Sequence, residues 1–148
     1  MINLLLKLYK VKVLRVFAYN LIKVIYCLDI PIDVTIGDNL VLPHNSVSTV
    51  IHPKTTIGNN CTIYQGVTIG RGNVWNKKPS RDFGGFIIED SVILCAGAKI
   101  ISSHGTLVVG RNSIVGSNAV LTKSCPPNSV CIGIPAKVYK SNNNNNCK

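Results

Sequence analysis

VLPHNSVSTVIHPKTTIGNNCTIYQGVTIG, residues 41–70, holds two histidines and a repeating frame. Ile51, Ile57, Ile63 and Ile69 stand six residues apart. The interval returns further on, at Ile88, Leu94 and Ile100, and again at Val109, Val115 and Leu121. Internal periodicity of this kind is read before any local signal. Four residues after each aliphatic stands a smaller one: Thr55, Cys61, Val67, Val92, Ala98, Ser113, Ala119 and Cys125. Gly58, Gly70, Gly110 and Gly116 follow the aliphatic directly, and asparagines such as Asn59, Asn60, Asn112 and Asn118 crowd the remaining places. Glycine and asparagine tolerate the left-handed backbone that tight corners require.

A helix cannot carry this frame. Six residues turn a helix through about 600°, so the aliphatics would leave any fixed face. The glycine and asparagine load is also too high for one. Antiparallel strands would show hairpin signals, and few occur. Short strands joined at corners fit, with large and small residues both pointing inward and three sides closing a coil of about eighteen residues. The expected fold is mainly β, a three-sided parallel β-helix over residues 31–140, with roughly four to five coils.

The frame breaks in three places. Leu42 to Ile51 and Ile100 to Val109 are each longer than one repeat, and a long insertion separates Ile69 from Ile88. Its core, residues 71–86 (RGNVWNKKPSRDFGGF), reads as a surface loop. Trp75, Lys77, Lys78 and Arg81 within it combine aromatic and basic character, which suits a sugar or an acidic glycan, or a contact with a neighbouring subunit.

Outside the frame, residues 1–30 form an apolar, basic helical segment, with apolar residues at 14, 17, 18, 21, 22, 25 and 28 in helical spacing. Asp29 and Pro31 are expected to end it. Packing on the body or on a neighbouring subunit is one reading of residues 1–28; resting on a membrane surface is the other. No apolar run approaches the ~18 residues of a membrane span. Residues 141–148 (SNNNNNCK) read as a disordered polar tail.

Sixteen basic against six acidic residues give a net charge of +10, which favours an anionic partner. No nucleic-acid-binding motif is present. The six cysteines form no C-x-x-C pair, which disfavours zinc and thioredoxin-like sites, and the thiols read as reduced in a cytoplasmic protein. Three histidines at unsuitable spacing make a three-histidine metal site unexpected, and no metal is assigned.

The stretches IPIDVTIGDNLVLPH, IHPKTTIGNNCTIYQGVTIG, AGAKII, VVGRNSIVGSNAVLTKSCPPNSV and GIPAKVYK resemble the hexapeptide-repeat acyltransferases, over residues 30–140. Within that superfamily the chain is similar to the serine acetyltransferase branch and the related acetyltransferases of capsule and exopolysaccharide synthesis. The resemblance implies a left-handed β-helix, a homotrimer, acetyl-coenzyme A as acetyl donor and active sites between adjacent subunits. It also implies that His44, after GDNLVLP, is the catalytic base, with Asn45 beside the acceptor. His52, in the corner slot after Ile51, is expected to be structural. His104 falls in the second nine-residue break.

The donor's expected contacts are Ala96, Gly97, Gly116 and Ser117 at small-residue corners, with Lys123 and Lys137 meeting phosphate. Serine acetyltransferases usually carry an aspartate before the catalytic histidine and a second histidine after the large loop. Here Pro43 and the sequence RDFGGFII stand in those places, with Arg81 and Asp82 as substitutes for binding the acceptor. The departure favours a saccharide hydroxyl as acceptor, with serine as the alternative. A non-catalytic β-helix scaffold is the reading from another class. No cysteine falls beside His44 in the frame, so an acyl-cysteine intermediate is not expected.

Overall fold

The computed structural model describes residues 2–11, 13–75 and 82–140. Two helices, α1 (Ile2–Lys10) and α2 (Arg15–Tyr26), precede the frame. α2 stops three residues before Asp29, because Cys27 takes a left-handed conformation (φ 49°) and turns the chain.

The coils follow in order. The first runs through β1 (Thr35–Ile36), a bridge at Val41 and β2 (Val50–Ile51). The second holds β3 (Thr55–Ile57), β4 (Thr62–Ile63) and β5 (Thr68–Arg71). The third holds β6 (Phe83–Ile88), β7 (Ile93–Leu94) and β8 (Lys99–Ser102), and the fourth β9 (Gly105–Val109), β10 (Ile114–Val115) and β11 (Val120–Leu121). A bridge at Cys125 and β12 (Ser129–Ile132) begin a fifth. The last strand among the described residues, β13 (Lys137–Lys140), reverses and pairs antiparallel with β12, which the six-residue frame did not foreshadow.

Strands pair in parallel from coil to coil in three sheets, the faces of a prism. The first face is β1-β3-β6-β9, the second β4-β7-β10-β12 closed by β13, and the third β2-β5-β8-β11. The chain is thus a left-handed parallel β-helix, mainly β, with a two-helix layer at its start. Register matches the frame: Ile51 pairs with Ile69 and Ile69 with Ile100, while Ile63 pairs with Leu94 and Leu94 with Val115. All of these frame aliphatics are at most 1% exposed, and the small-slot residues Cys61, Val67, Val92 and Ala98 are fully buried. Each fully buried Ile or Leu contributes of the order of 1.5–3 kcal/mol.

Two expectations about the insertions need correction. Residues 83–86 are not loop: β6 starts at Phe83, because Phe83 and Phe86 turn inward and pack against His52, Phe83 edge-on (centroids 5.1 Å) and Phe86 tilted (5.9 Å). Likewise the nine-residue break after Ile100 lengthens β8 and β9 instead of forming a loop. Arg71 also belongs to a strand, so the insertion narrows to 72–82. Lys77, Lys78 and Arg81 lie outside the described residues, as does the tail 141–148.

Candidate active site

The prism has three edges, and they differ. The edge between the first and second faces is regular: Asn39, Asn60, Ser91, Asn112 and Asn128 each adopt a left-handed φ of 55–57°. Their neighbours form a ladder, in which Asn59 Oδ1 accepts from Asp38 N at 2.8 Å and Asp90 Oδ1 from Asn59 N at 2.7 Å.

The edge between the second and third faces carries His44. In the upper coils it is made of Tyr64–Gly66, Cys95–Gly97 and Gly116–Asn118, stacked by backbone bonds from Gly97 N to Gln65 O and from Asn118 N to Ala96 O, both 2.9 Å. One residue per corner has positive φ there: Gly66, Gly97 and Asn118. In the first coil the same edge is overlong. His44, Asn45 and Ser46 are successively left-handed (φ 52°, 55° and 47°), and Ser48 is too (φ 59°). Each such L-residue costs of the order of 1–2 kcal/mol, and such strain clusters at functional sites.

The corner is held by the second coil and by Cys27 after α2. Ser46, fully buried, donates its hydroxyl to Ile63 O. Thr49, also fully buried, donates to Tyr64 O at 3.1 Å and accepts from Val67 N at 3.2 Å. Gly66 N bonds Val47 O at 2.9 Å, and Ser48 N reaches Cys27 O at 3.0 Å. The pinned backbone presents the imidazole of His44 to solvent at the prism's edge. Ser46 and Thr49 escaped the sequence reading, although polar residues in a stretch of inward-facing aliphatics are a usable signal. Gln65 Oε1, on the adjoining corner, is buried without a hydrogen-bond partner among the described residues.

Six other candidates share this edge with His44. Asn45 is its neighbour, and Ala96, Gly97, Gly116 and Ser117 line the corners of the third and fourth coils. A Cβ on Gly97 would collide with the Asn118 side chain, and one on Gly116 would come within 2.7 Å of Ile132, so small residues keep the edge shallow. Lys137 follows the Gly133–Ala136 turn that closes the same edge, where Ala136 N bonds Val120 O at 2.8 Å.

Trp75, Asp82 and Lys123 do not join them. All three follow third-face strands and lie on the remaining edge, with His52 and His104. One face therefore separates them from His44, and a single chain does not bring the two groups together. The frame itself holds the signal: any residue that follows β2, β5, β8 or β11 must turn that corner.

His52 behaves as a structural residue. Its Nδ1 accepts from Lys54 N at 3.0 Å, and its ring lies against Phe83 and Phe86. Burial, then the nearby Arg71 and Lys54 cations, holds its pKa below the usual histidine value. A concavity of about 580 Å³ between Lys7, Lys10 and Gly37–Val41 lies at the asparagine edge, away from His44. A single copy thus carries its imidazole on an open ridge.

No family model matches the sequence. The chain is 37% identical over 105 residues to the serine acetyltransferase of Staphylococcus aureus, covering 71% of this chain and 45% of that protein. Among solved structures it resembles the Brucella abortus serine acetyltransferase in complex with coenzyme A (TM-score 0.73, 29% identity, 94% of this chain and 53% of that one). It also resembles the Neisseria gonorrhoeae serine acetyltransferase in complex with serine (TM-score 0.69, 30% identity, 89% and 50%). The chain spans about half the length of the curated relatives it matches. Periodicity, prism and relatives agree: what this chain resembles, in sequence and in fold, is the left-handed β-helix, hexapeptide-repeat acyltransferases, in their serine acetyltransferase branch.

Proposed function

We propose that the chain transfers an acetyl group from acetyl-coenzyme A directly to a hydroxyl, with His44 as general base. The observation that carries this reading is the strained corner: four left-handed residues, pinned by Ser46 and Thr49, that set one exposed imidazole on the edge of the first coil. The neutral ring takes the proton of the acceptor hydroxyl as its oxygen attacks the thioester carbon. Collapse of the tetrahedral intermediate expels the thiolate of coenzyme A, which recovers the proton from the imidazolium. The edge above His44, with Ala96, Gly97, Gly116 and Ser117, is a shallow track for the long donor, and Lys137 stands at its end for phosphate. Related structures bound to coenzyme A and to serine support both substrates.

A homotrimer reconciles the two separated groups. The second face shows an outward column of Val41, Thr62, Ile93, Ile114 and Val130, and the first face shows Thr56, Ile87 and Val108. If the asparagine edges of three copies meet at an axis, the first face of one copy packs on the second face of the next. The outer ends of those faces are then the Trp75, Asp82 and Lys123 edge and the His44 edge, side by side.

Serine is the acceptor that the relatives' names support. A saccharide hydroxyl is the second reading, favoured by Pro43, which puts no carboxylate immediately before His44. Incubation with acetyl-coenzyme A and either serine or a panel of saccharides separates them, read as thiol release and as the mass of the acetylated product. His44→Ala serves as control. Thiol release that matches that variant's with every acceptor, and no calorimetric signal with coenzyme A, leaves only a scaffold.

A further inference from the structure

We infer that the outer surface of the two-helix layer docks on an anionic lipid bilayer. Each helix is apolar on two sides. α1 buries Ile2, Leu5 and Tyr9, and α2 buries Ala18, Ile22 and Tyr26. Beside those stripes lie exposed apolar residues, Leu4 and Val11 on and just after α1, and Leu14, Phe17 and Val24 along α2, with Leu8 and Leu21 half-buried between them and the core. Leu4 is 61% exposed, Phe17 60% and Val24 78%. Single exposed apolar residues are ordinary, but a continuous stripe on each of two adjacent helices marks an interaction surface.

Charge decides what covers it. Residues 1–28 hold Lys7, Lys10, Lys12, Arg15 and Lys23 and no acidic residue. Asp38 takes Lys10 at 2.7 Å and Asp29 takes Lys23 at 2.9 Å, and both carboxylates belong to the chain that follows α2. Arg15 caps the Tyr9 and Ile32 carbonyls. Lys7, beside the Leu4–Val11 stripe, forms no ion pair among the described residues. A second copy docked by the same surface would set Lys7 against a surface of like charge, with Asp38 and Asp29 already engaged by Lys10 and Lys23. Anionic lipid answers both the stripe and the charge. No described helix is long and apolar enough to cross a membrane, so the layer would lie on the surface. The layer is bolted to the first coil by Tyr9 Oη to Pro31 O (2.5 Å) and Lys10 Nζ to Gly37 O (2.8 Å), so docking would hold that coil nearest the lipid. The inference does not depend on acetyl transfer.

Co-sedimentation of the full chain with phosphatidylcholine vesicles, with and without phosphatidylglycerol, tests it. Binding to the anionic vesicles is expected, weakening with salt, and falling about tenfold or more in Phe17→Asp/Val24→Asp. Lys7→Glu, a milder change, should lower it about fivefold. Circular dichroism confirms that the variants fold. Failure to bind anionic vesicles, or equal binding by folded variants, overturns the inference. So does self-association in sedimentation velocity that the double variant abolishes while vesicles go unbound, because the face then belongs to a second copy.

Discussion

The asparagine edge and the His44 edge are built from the same repeat, yet they handle left-handed backbone differently. On the asparagine edge every coil spends one left-handed residue, four of the five are asparagines, and side chains of successive coils answer each other, as Asn112 Nδ2 answers Asn128 Oδ1 at 3.2 Å. On the His44 edge the upper coils also spend one, mostly glycine, but the first coil spends four in five residues, including a histidine and two serines. Regular strain shared along a stack is architecture. Strain gathered in one coil, and held by two buried hydroxyls, fixes a side chain where the frame alone would not put it.

Four measurements would break or sharpen that contrast. The largest effect is expected for His44→Ala, which should lower turnover by about 10²–10⁴-fold while leaving the melting temperature nearly unchanged, since the ring is exposed. Steady-state kinetics beside a thermal melt decide this; an equal loss of folding would make the residue structural. On the regular edge, Gly58→Ala should destabilise by about 1–3 kcal/mol in urea titration, because the new Cβ would lie 2.8 Å from Asp90 N and 2.9 Å from Glu89 C. Ser48→Gly should do the reverse on the strained corner, raising stability by up to about 1 kcal/mol as its φ of 59° becomes cost-free. Unfolding that starts earlier in Ser48→Gly would show that the corner is relaxed.

The smallest effect concerns His52. Its pKa is lowered from 6.5, chiefly by burial, so the folded chain resists a proton that the unfolded chain accepts. Its contribution to stability is intact above pH 6.5 and is lost as pH falls through that value toward the lower folded-state pKa. Melting temperature followed across this window should fall toward acid less steeply in His52→Gln than in the parent chain.

Most of the prism was legible in the sequence because one physical rule wrote it: Ile51, Ile57, Ile63 and Ile69 had to meet a shared axis, and six residues per side was the only spacing that brought them there. The His44 corner was legible as a fault in that spacing. Phe83 and Phe86 were not, because Gly84 and Gly85 between them read as loop, whereas the backbone uses Gly85 (φ 99°) as a bulge that slips the register within β6. The division of candidates between two edges is hidden for another reason. Trp75 and Lys123 draw notice by chemical type, while their side of the prism follows from counting strands. Ser46 and Thr49 act through hydrogen bonds to a neighbouring coil, and contacts of that range leave no local pattern.

The reversal of β13 has a consequence for the molecule's solubility. A parallel coil ends on a row of open backbone groups, an invitation for another chain to continue the stack. By folding back on β12, β13 covers the second face and leaves Lys137 and Lys140 along the new margin. Charged margins repel a further strand, so filament growth is halted at this face by the chain itself.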